Sequence, residues 1–200
     1  MRRNGQRPNE SKSILRIKLR SRRCELPTAS RTRYDNAICQ HLQQLVTARK
    51  ARSIACYWPF NGEPDILPLC QQLMANDHLL ALPVVADKTD NLMTFHAWDE
   101  NSTLVKNRYG ICEPVQSASV PVTSFDLLLM PLVGYDMSGN RIGMGAGYYD
   151  RHLEQLRDST APLRVGIAYS LQEIAPIEKN KWDIPLHGVV NEHGWFTFTG

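Results

Sequence analysis

The sequence predicts a single α/β domain with a buried parallel sheet at its centre. Two short and nearly all-apolar runs, Ile54 to Trp58 and Leu79 to Val85, are separated by a helical stretch from Ile66 to Ala75. Runs that are apolar on both faces are typical of parallel strands, and strand, helix and strand in so little chain indicate a βαβ unit. A chain of 200 residues can remove roughly 70% of its unfolded surface from water, so a self-sufficient core is expected.

Two helices are predicted before this unit, and further strands after it. Ser11 is a candidate N-cap for a basic helix that should run to about Cys24. A second helix is expected from about Ser30 to Arg49, where apolar residues recur at helical spacing. Asp65 can cap the helix of the βαβ unit. Further strands are expected at three places, Leu92 to Trp98, Phe125 to Met130 and Leu163 to Tyr169.

The C-terminal third predicts a hairpin, a helix and a final ribbon. Met137 to Asn140 has the composition of a hairpin turn, and a helix is expected from Tyr148 to Arg157. The last ribbon is formed by Val189-Val190 and Trp195 to Phe198. Residues 99 to 124 give no clear pattern. Because neither repeats nor a linker is evident, we expect one domain over residues 11–200, preceded by a flexible basic lead-in over residues 1–10.

Composition excludes several classes of protein. Hydrophobic residues make up 42% and charged residues 22% of the chain, which is typical of globular proteins rather than of disordered or fibrous ones. No apolar run approaches the roughly 20 residues needed to span a bilayer, so we expect a soluble protein without a membrane partner. Five cysteines without a CxxC pair favour a reducing compartment, and hence a cytoplasmic location.

The positive charge of the chain is concentrated at its start. Residues 1 to 23 hold nine Arg or Lys against the single acid Glu10. Such an arm attracts polyanions, so a module that binds RNA or an anionic surface is one functional alternative. Neither an RNP-like aromatic strand nor a KH-type GxxG motif accompanies the arm, which disfavours nucleic acid as the main partner.

The segment from Gly139 to Arg151 carries the clearest indication of chemistry. It places four of the twelve glycines within nine positions, directly before the predicted helix. Glycines let backbone N–H groups approach a ligand closely, and a helix N-terminus favours anions, so a phosphate cradle is predicted. Arg141 and Asp150 would let a phosphate and a divalent cation share this corner. The alternative is a glycine-rich hairpin whose tyrosines only pack beneath the sheet, and GxGxG is neither a P-loop nor the dinucleotide GxGxxG.

This segment closely resembles the signature of the 5-formyltetrahydrofolate cyclo-ligases, also called 5,10-methenyltetrahydrofolate synthetases. Three further blocks resemble the same family in the same order. They are Lys12 to Arg16, Tyr57-Trp58 with Gly62 to Asp65, and Trp182 to Leu186. Together the four blocks lie within residues 12 to 190, which makes the resemblance specific.

The resemblance implies a three-layer α/β/α sandwich with a mostly parallel sheet of Rossmann-like topology. It implies that ATP and Mg²⁺ are used to convert 5-formyltetrahydrofolate into 5,10-methenyltetrahydrofolate, with small molecules as partners of a monomeric enzyme. Arg141 and Lys12 would be catalytic, and Asp150 and Asp183 would bind the metal. His187 departs from relatives that often carry an acid there. The folate would be contacted by Trp58, Glu63, Met144, Gly145, Ala146, Gly147 and Tyr148. ATP would be bound by Lys12, Arg16, Arg141, Ile142, Gly143, Met144, Gly145, Ala146, Gly147, Tyr148 and Tyr149.

The residue types suit this reaction, but each also has a structural interpretation. Phosphoryl transfer needs alignment and charge stabilisation rather than a nucleophilic side chain, and Mg²⁺ commonly takes one or two carboxylates beside phosphates. Glu63 can accept hydrogen bonds from a pterin, or it can be a turn residue. Trp58 can stack on ligand or pack in the core, Asp183 can form a turn, and Lys12 and Arg16 can belong to a solvated helix face. A sugar-phosphate or coenzyme A enzyme that does not hydrolyse ATP is the remaining alternative.

Overall fold

A computed structural model describes residues 11–85, 93–157, 159–178 and 183–198. The predicted lead-in over residues 1–10, Leu92 of one expected strand and Trp182 of the last block lie outside these ranges. None of the helices in the described ranges has the length and apolar character that crossing a bilayer requires.

Four α-helices and three short 3₁₀ helices are formed. The α-helices are α1 Lys12–Cys24, α2 Thr28–Arg49, α3 Leu67–Met74 and α4 Tyr148–Leu153. The 3₁₀ helices are Val122–Ser124, Glu154–Leu156 and Ser170–Gln172. The strands are β1 Ser53–Ala55, β2 Leu79–Val85, β3 Met93–Trp98, β4 Leu104–Lys106, β5 Cys112–Pro114, β6 Ser119–Val120, β7 Leu127–Pro131, β8 Gly134–Tyr135, β9 Arg141–Ile142, β10 Leu163–Ile167, β11 Gly188–Asn191 and β12 Gly194–Thr197. These counts refer to the described ranges.

Eight of these strands form one sheet in the order β12-β11-β10-β7-β1-β2-β3-β6. The five central strands, β11, β10, β7, β1 and β2, are parallel, whereas β12, β3 and β6 pair in antiparallel fashion at the two edges. Counted along the chain, the parallel strands have the doubly wound order 2-1-3-4-5. This is the flavodoxin-like variant of the predicted Rossmann-like topology, and its switch point lies between β1 and β7.

Helices cover both faces of the sheet, which confirms the predicted α/β/α layering. On one face, Ile38 and Leu42 of α2 and Leu69 of α3 share a buried cluster with Ile54 of β1. On the other face, Leu153 of α4 lies in a second cluster, together with residues of β7 and the 3₁₀ helix Val122–Ser124. α1 lies beside the sheet, where Leu19 packs on Val133 and Ile142 around the β8–β9 hairpin. Hydrophobic burial on both faces therefore fixes the sheet, and α1 closes one end of it.

Most predicted elements are confirmed, although several are shorter than expected. β2 has the predicted bounds, α1 ends at Cys24, and the final ribbon and the hairpin around Met137 to Asn140 are formed. The first strand ends at Ala55 rather than Trp58, because Tyr57 turns inward and its hydroxyl donates to Pro64 O at 2.8 Å. The helix after the glycine segment ends at Leu153 and continues as the 3₁₀ turn Glu154–Leu156.

The two predicted caps differ in outcome. The Asp65 carboxylate accepts a hydrogen bond from Leu67 N at 3.0 Å, at the start of α3. Ser11 occupies the N-cap position of α1, but its hydroxyl makes no capping bond and lies 2.9 Å from the Ser13 hydroxyl. Residues 99–124, which gave no clear pattern, form β4, β5, β6 and the first 3₁₀ helix.

Candidate active site

The predicted site residues meet at the carboxyl ends of β1 and β7. The loop from Tyr57 to Asp65 follows β1, and the β8–β9 hairpin with the glycine loop 143–147 follows β7. In doubly wound sheets the crevice outside this switch point is where ligands bind. α1 contacts the β8–β9 hairpin and so lies across this end of the sheet. Three segments that are far apart in sequence are thereby brought together.

The glycine loop presents an open backbone surface. Gly145 and Gly147 have φ angles of 107° and 70°, a region that side chains other than glycine rarely adopt. A Cβ added to Gly143 would meet nothing within 4 Å, and Met144 is exposed. α4 has only six residues, so the helix adds less to an anion site than the sequence predicts. The loop amides themselves are the available donors.

Two predicted cations of α1 face this corner. Arg16 Nε donates to Gly143 O at 2.8 Å, across 127 positions of sequence. Lys12 Nζ lies 3.9 Å from Asp183 Oδ2. The spacing of four residues puts both side chains on one face of α1, and that face is turned to the loop. Arg16 is therefore engaged with the loop rather than solvated, whereas Lys12 remains partly exposed.

Arg141 is the buried centre of the phosphate corner. Its side chain is only 7% exposed, Nη1 donates to Ile184 O at 2.5 Å, and Nη2 forms an ion pair with Asp150 Oδ1. Burial lowers the pKa of Arg141, whereas the carboxylates of Asp150 and Asp183 act in the opposite direction. Both predicted metal ligands therefore lie in the electrostatic neighbourhood of one guanidinium, which remains protonated.

The neighbouring Ile142 differs from the rest of the segment. Its side chain is buried against Leu19 and Val133. Any contact that this residue makes with a ligand is therefore made by its backbone.

A buried carboxyl group lies on the β1 side of the crevice. The Glu63 side chain is 8% exposed, and its Oε1 is 3.9 Å from Nη1 of the fully buried Arg23. Glu63 Oε2 accepts a hydrogen bond from Phe60 N at 3.1 Å. Burial raises the pKa of Glu63 to about 7, although the charge of Arg23 and the bond from Phe60 both lower it. A carboxyl group with this pKa can exist in either protonation state near neutral pH.

The two predicted stacking residues have different surroundings. Trp58 is half-buried and meets Trp98 edge-on, with ring centroids 6.0 Å apart, so it has a clear packing role. The Tyr148 hydroxyl accepts from Arg108 Nη2 at 2.7 Å and lies 3.1 Å from the Tyr109 hydroxyl. Arg108 and Tyr109 belong to the turn between β4 and β5, and sequence reasoning missed both.

Tyr149 lies between the two sides of the crevice. Its hydroxyl is buried and has no hydrogen-bond partner among the described residues. Burial and the charge of Glu63 raise the pKa of this phenol, whereas Arg141 lowers it. The same hydroxyl therefore interacts electrostatically with the carboxyl on the β1 side and with the guanidinium on the β7 side.

Position 187 has a structural role. His187 Nδ1 accepts a hydrogen bond from Arg164 N at 2.8 Å, and burial together with Arg164 and Arg49 lowers the pKa of His187 to about 4. Its imidazole is thus neutral and engaged with β10.

Metal-ligating side chains are sparse in the part of the chain that the structure describes. No group of three or more His, Cys, Asp or Glu that could hold a metal ion occurs there. Asp150 and Asp183 both lie near the guanidinium of Arg141, and two is a number of carboxylates that Mg²⁺ commonly takes when phosphates and waters supply the rest. The donor chemistry therefore fits magnesium that arrives with a nucleotide.

The fold and the site define a doubly wound α/β protein whose crevice joins an open glycine loop, several cations and a buried carboxyl group. The model of the 5-formyltetrahydrofolate cyclo-ligase family matches residues 8–192. The chain belongs to the 5-formyltetrahydrofolate cyclo-ligase family.

Individual relatives agree with this assignment. The chain is 31% identical over 184 residues to the 5-formyltetrahydrofolate cyclo-ligase of Haemophilus influenzae, covering 90% of this chain and 97% of the relative. It is 36% identical over 143 residues to the enzyme of the same name from Escherichia coli K12, covering 70% of this chain and 78% of the relative. The solved structure of the 5,10-methenyltetrahydrofolate synthetase of Aquifex aeolicus superposes with a TM-score of 0.81 at 31% identity, covering 94% of this chain and 93% of the other.

Proposed function

We propose that the chain catalyses the ATP-dependent ring closure of 5-formyltetrahydrofolate to 5,10-methenyltetrahydrofolate, with release of ADP and phosphate. The observation that carries this proposal is the arrangement of charged residues and the glycine loop at the switch point of the sheet. The chain's membership of the family gives this arrangement its meaning. There, Arg16 and Arg141 flank the glycine loop on one side of the crevice, and the buried Glu63 lies on the other. We further propose that residues 11–200 form one cyclo-ligase domain and residues 1–10 a flexible lead-in.

The reaction requires activation of an amide-like carbon. The formyl oxygen attacks the γ-phosphorus of ATP, the bond to ADP breaks, and the formyl carbon becomes a phosphorylated iminium. N10 then attacks that carbon and loses its proton, and the C–O bond breaks to release phosphate. Because phosphoryl transfer depends on alignment and on charge stabilisation, no nucleophilic side chain is needed.

The phosphate side of the crevice would hold ATP. Backbone N–H groups of the glycine loop can approach the phosphates where glycine leaves the backbone uncovered, as at Gly143, and Arg16 lies against the same loop. Arg141 and Lys12 are the proposed catalytic cations, with Arg141 held by Ile184 O and aligned with Asp150. The proposed ATP-binding residues are Lys12, Arg16, Arg141, Ile142, Gly143, Met144, Gly145, Ala146, Gly147, Tyr148 and Tyr149.

The other side of the crevice would hold the pterin. Glu63 in its ionised form can accept two hydrogen bonds from pterin N–H groups, in a place from which water is largely excluded. Tyr148 can support the substrate from the glycine loop, held by Arg108. Trp58 packs on Trp98, so its proposed contact with folate is made by the part of its ring that this packing leaves uncovered. Met144, Gly145, Ala146 and Gly147 complete the proposed folate contacts.

Asp150 and Asp183 are the proposed ligands of Mg²⁺. When bound with ATP, the ion would neutralise phosphate charge during transfer. Asp150 is 38% exposed and Asp183 is partly exposed, so both carboxylates are accessible to solvent. Their contacts with Arg141 and Lys12 place them beside the cations that would also face the phosphates.

Incubation with 5-formyltetrahydrofolate, with and without Mg-ATP, tests the proposal. The near-ultraviolet band of the methenyl product should appear only with nucleotide, and one phosphate should be released for each product molecule. Turnover without nucleotide would favour a sugar-phosphate or coenzyme A type of enzyme instead. The Arg141→Ala variant is the matched control, because it removes the proposed phosphate contact.

Truncation before Ser11 distinguishes the enzyme from the alternative function, a module that binds anions through its basic N-terminal arm. Because Lys12 and Arg16 remain and face the glycine loop, the truncated chain should keep its turnover. Loss of turnover on truncation would contradict the domain boundary at residue 11. We expect a monomeric, cytoplasmic enzyme without a nucleic-acid partner.

A further inference from the structure

Arg23, in the last turn of α1, is the most completely buried cation near the crevice. Its side chain is inaccessible to solvent, and all three of its guanidinium nitrogens donate to backbone carbonyls. Nε and Nη2 donate to Asn61 O at 3.1 and 2.8 Å, and Nη1 donates to Leu132 O at 3.1 Å. A charge buried in this way is costly unless it is paired and hydrogen-bonded, so its retention calls for a role.

These contacts join the two strands that flank the switch point. Asn61 lies in the loop after β1, and Leu132 directly follows the last residue of β7. The loop has two consecutive left-handed residues, Asn61 with φ 49° and Gly62 with φ 73°. Arg23 donates twice to the carbonyl of the first of them, and thus stabilises the conformation that presents Glu63 to the crevice.

Arg23 also faces the carboxylate of Glu63. Nη1 lies 3.9 Å from Glu63 Oε1, and both side chains are withdrawn from water. The other ionisable groups that face Glu63 are Arg20 of α1, Tyr57 after β1 and Tyr149 of α4. Arg23 is the one of these groups that forms an ion pair with Glu63 in the described structure.

We propose that Arg23 is a positioning residue of the folate subsite, which fixes the loop carrying Glu63 and supplies the countercharge that lets its carboxylate accept hydrogen bonds from the substrate. This inference rests on the proposed function, because it needs folate at Glu63. A purely structural tie needs only donors for Asn61 O and Leu132 O. A countercharge role needs the positive charge as well, and this difference makes the two roles separable.

The test is the pH dependence of kcat/KM for 5-formyltetrahydrofolate at saturating Mg-ATP, which reports ionisations of the enzyme–nucleotide complex before folate binds. Because burial raises the pKa of Glu63 to about 7, kcat/KM of the wild type should fall as the pH drops through that region, which gives the profile an acidic limb. Glu63→Gln should remove this acidic limb, which assigns it to Glu63. Enzyme-free blanks at each pH correct for spontaneous conversion of the substrate.

Arg23→Gln and Arg23→Lys form the decisive pair. Both shorten the side chain and keep donors, but only Lys keeps the charge. Arg23→Gln should move the acidic limb upward by about one pH unit or more, since an opposite charge at this range lowers a carboxyl pKa by about 1–3 units. It should raise KM for folate and leave KM for ATP nearly unchanged. Arg23→Lys should keep the limb close to its wild-type position, and equal limbs in the two variants would overturn the proposal.

Arg31→Met is the control for loosening the same loop. Arg31 donates to Gly62 O at 2.9 Å and to Arg23 O at 2.6 Å, and so holds the loop without forming an ion pair with Glu63. This variant should change thermal stability while the acidic limb stays in place. If Arg31→Met moves the limb as far as Arg23→Gln does, the effect is structural and the countercharge role is rejected.

A substrate-free measurement keeps this inference distinct from the proposed function. The ¹³C chemical shift of the Glu63 carboxyl, assigned with Glu63→Gln, is followed through a pH titration of the wild type and of Arg23→Gln. A higher midpoint in Arg23→Gln supports the countercharge, and an unchanged midpoint overturns it. Absence of methenyl product from the wild type would reject the proposed function without altering this result.

Discussion

The two sides of the crevice are built in opposite ways. The phosphate side is formed mostly by one continuous segment, Arg141 to Asp150, whose backbone is open and whose carboxylate is 38% exposed. The pterin side depends on Glu63, which is 8% exposed and is held by groups from α1 and from its own loop. Exposed charges are cheap to keep but individually weak, whereas a buried charge is strong and costly. On the phosphate side the binding energy can therefore come from many contacts, whereas on the pterin side it depends on one carboxylate.

Removing the buried guanidinium of the phosphate side should have the largest effect. Arg141→Ala should reduce kcat by about 10³-fold, because a preorganised charge aimed at the transferring group is lost. Steady-state kinetics with Mg-ATP and 5-formyltetrahydrofolate measures this, and a thermal melt shows that the fold remains. Arg141→Lys keeps a charge but loses the two-point geometry with Ile184 O and Asp150, and should recover only part of the rate. Near-normal kcat in a folded Arg141→Ala protein would contradict the assignment of this corner.

On the pterin side, a substitution of Glu63 should weaken the binding of folate but not that of ATP. Glu63→Ala should raise KM for 5-formyltetrahydrofolate by about 10- to 100-fold, because a hydrogen bond to a charged group contributes about 1.5–3 kcal/mol. KM for ATP should change little. The two constants are measured in the same assay, with the other substrate saturating. Equal losses for both substrates would remove the distinction between the two sides.

A smaller effect is expected from an added methyl group in the glycine loop. Gly143→Ala introduces a Cβ that meets nothing within 4 Å in the protein. The melting temperature should therefore stay the same, while KM for ATP rises by about 10-fold, as one misplaced carbon in a fitted site can cause. Gly147→Ala is the contrast, because its φ of 70° disfavours alanine and the added Cβ would lie 2.9 Å from Arg151 Nη1, so the variant should also destabilise the fold. An unchanged KM for ATP in Gly143→Ala would mean that phosphate does not approach this backbone.

The same contrast explains what could be predicted from sequence. The phosphate side could be predicted because its residues are neighbours in the chain and because glycine spacing reflects backbone geometry directly. Arg23 could not, since a basic residue within a run of basic residues carries no mark of burial. Arg108 and Tyr109 could not either, because the turn that brings them to Tyr148 joins two three-residue strands with no periodicity to detect. The early end of β1 depends on the bond from Tyr57 to Pro64 O, which is a tertiary contact.

His187 lies outside the phosphate side. The smallest effect is expected there, and it concerns the pH dependence of stability rather than turnover. The pKa of His187 is lowered to about 4 from its model-compound value of 6.5, so the unfolded chain binds more protons than the folded one between these values. The corresponding stability is fully present above pH 6.5 and is lost as the pH falls towards 4. Because the ring is only partly buried, we expect a loss of about 1 kcal/mol rather than the full linkage value.

His187→Asn tests this, because the Asn side chain keeps an acceptor for Arg164 N but does not titrate. The free energy of unfolding, measured with urea between pH 4 and pH 7, should fall less steeply in the variant than in the wild type. Turnover and its dependence on Mg²⁺ should remain those of the wild type, since His187 is engaged with β10 and not with Asp150. Equal pH slopes would mean that the imidazole is free to protonate in the folded state, and an altered Mg²⁺ dependence would extend the metal corner to this residue.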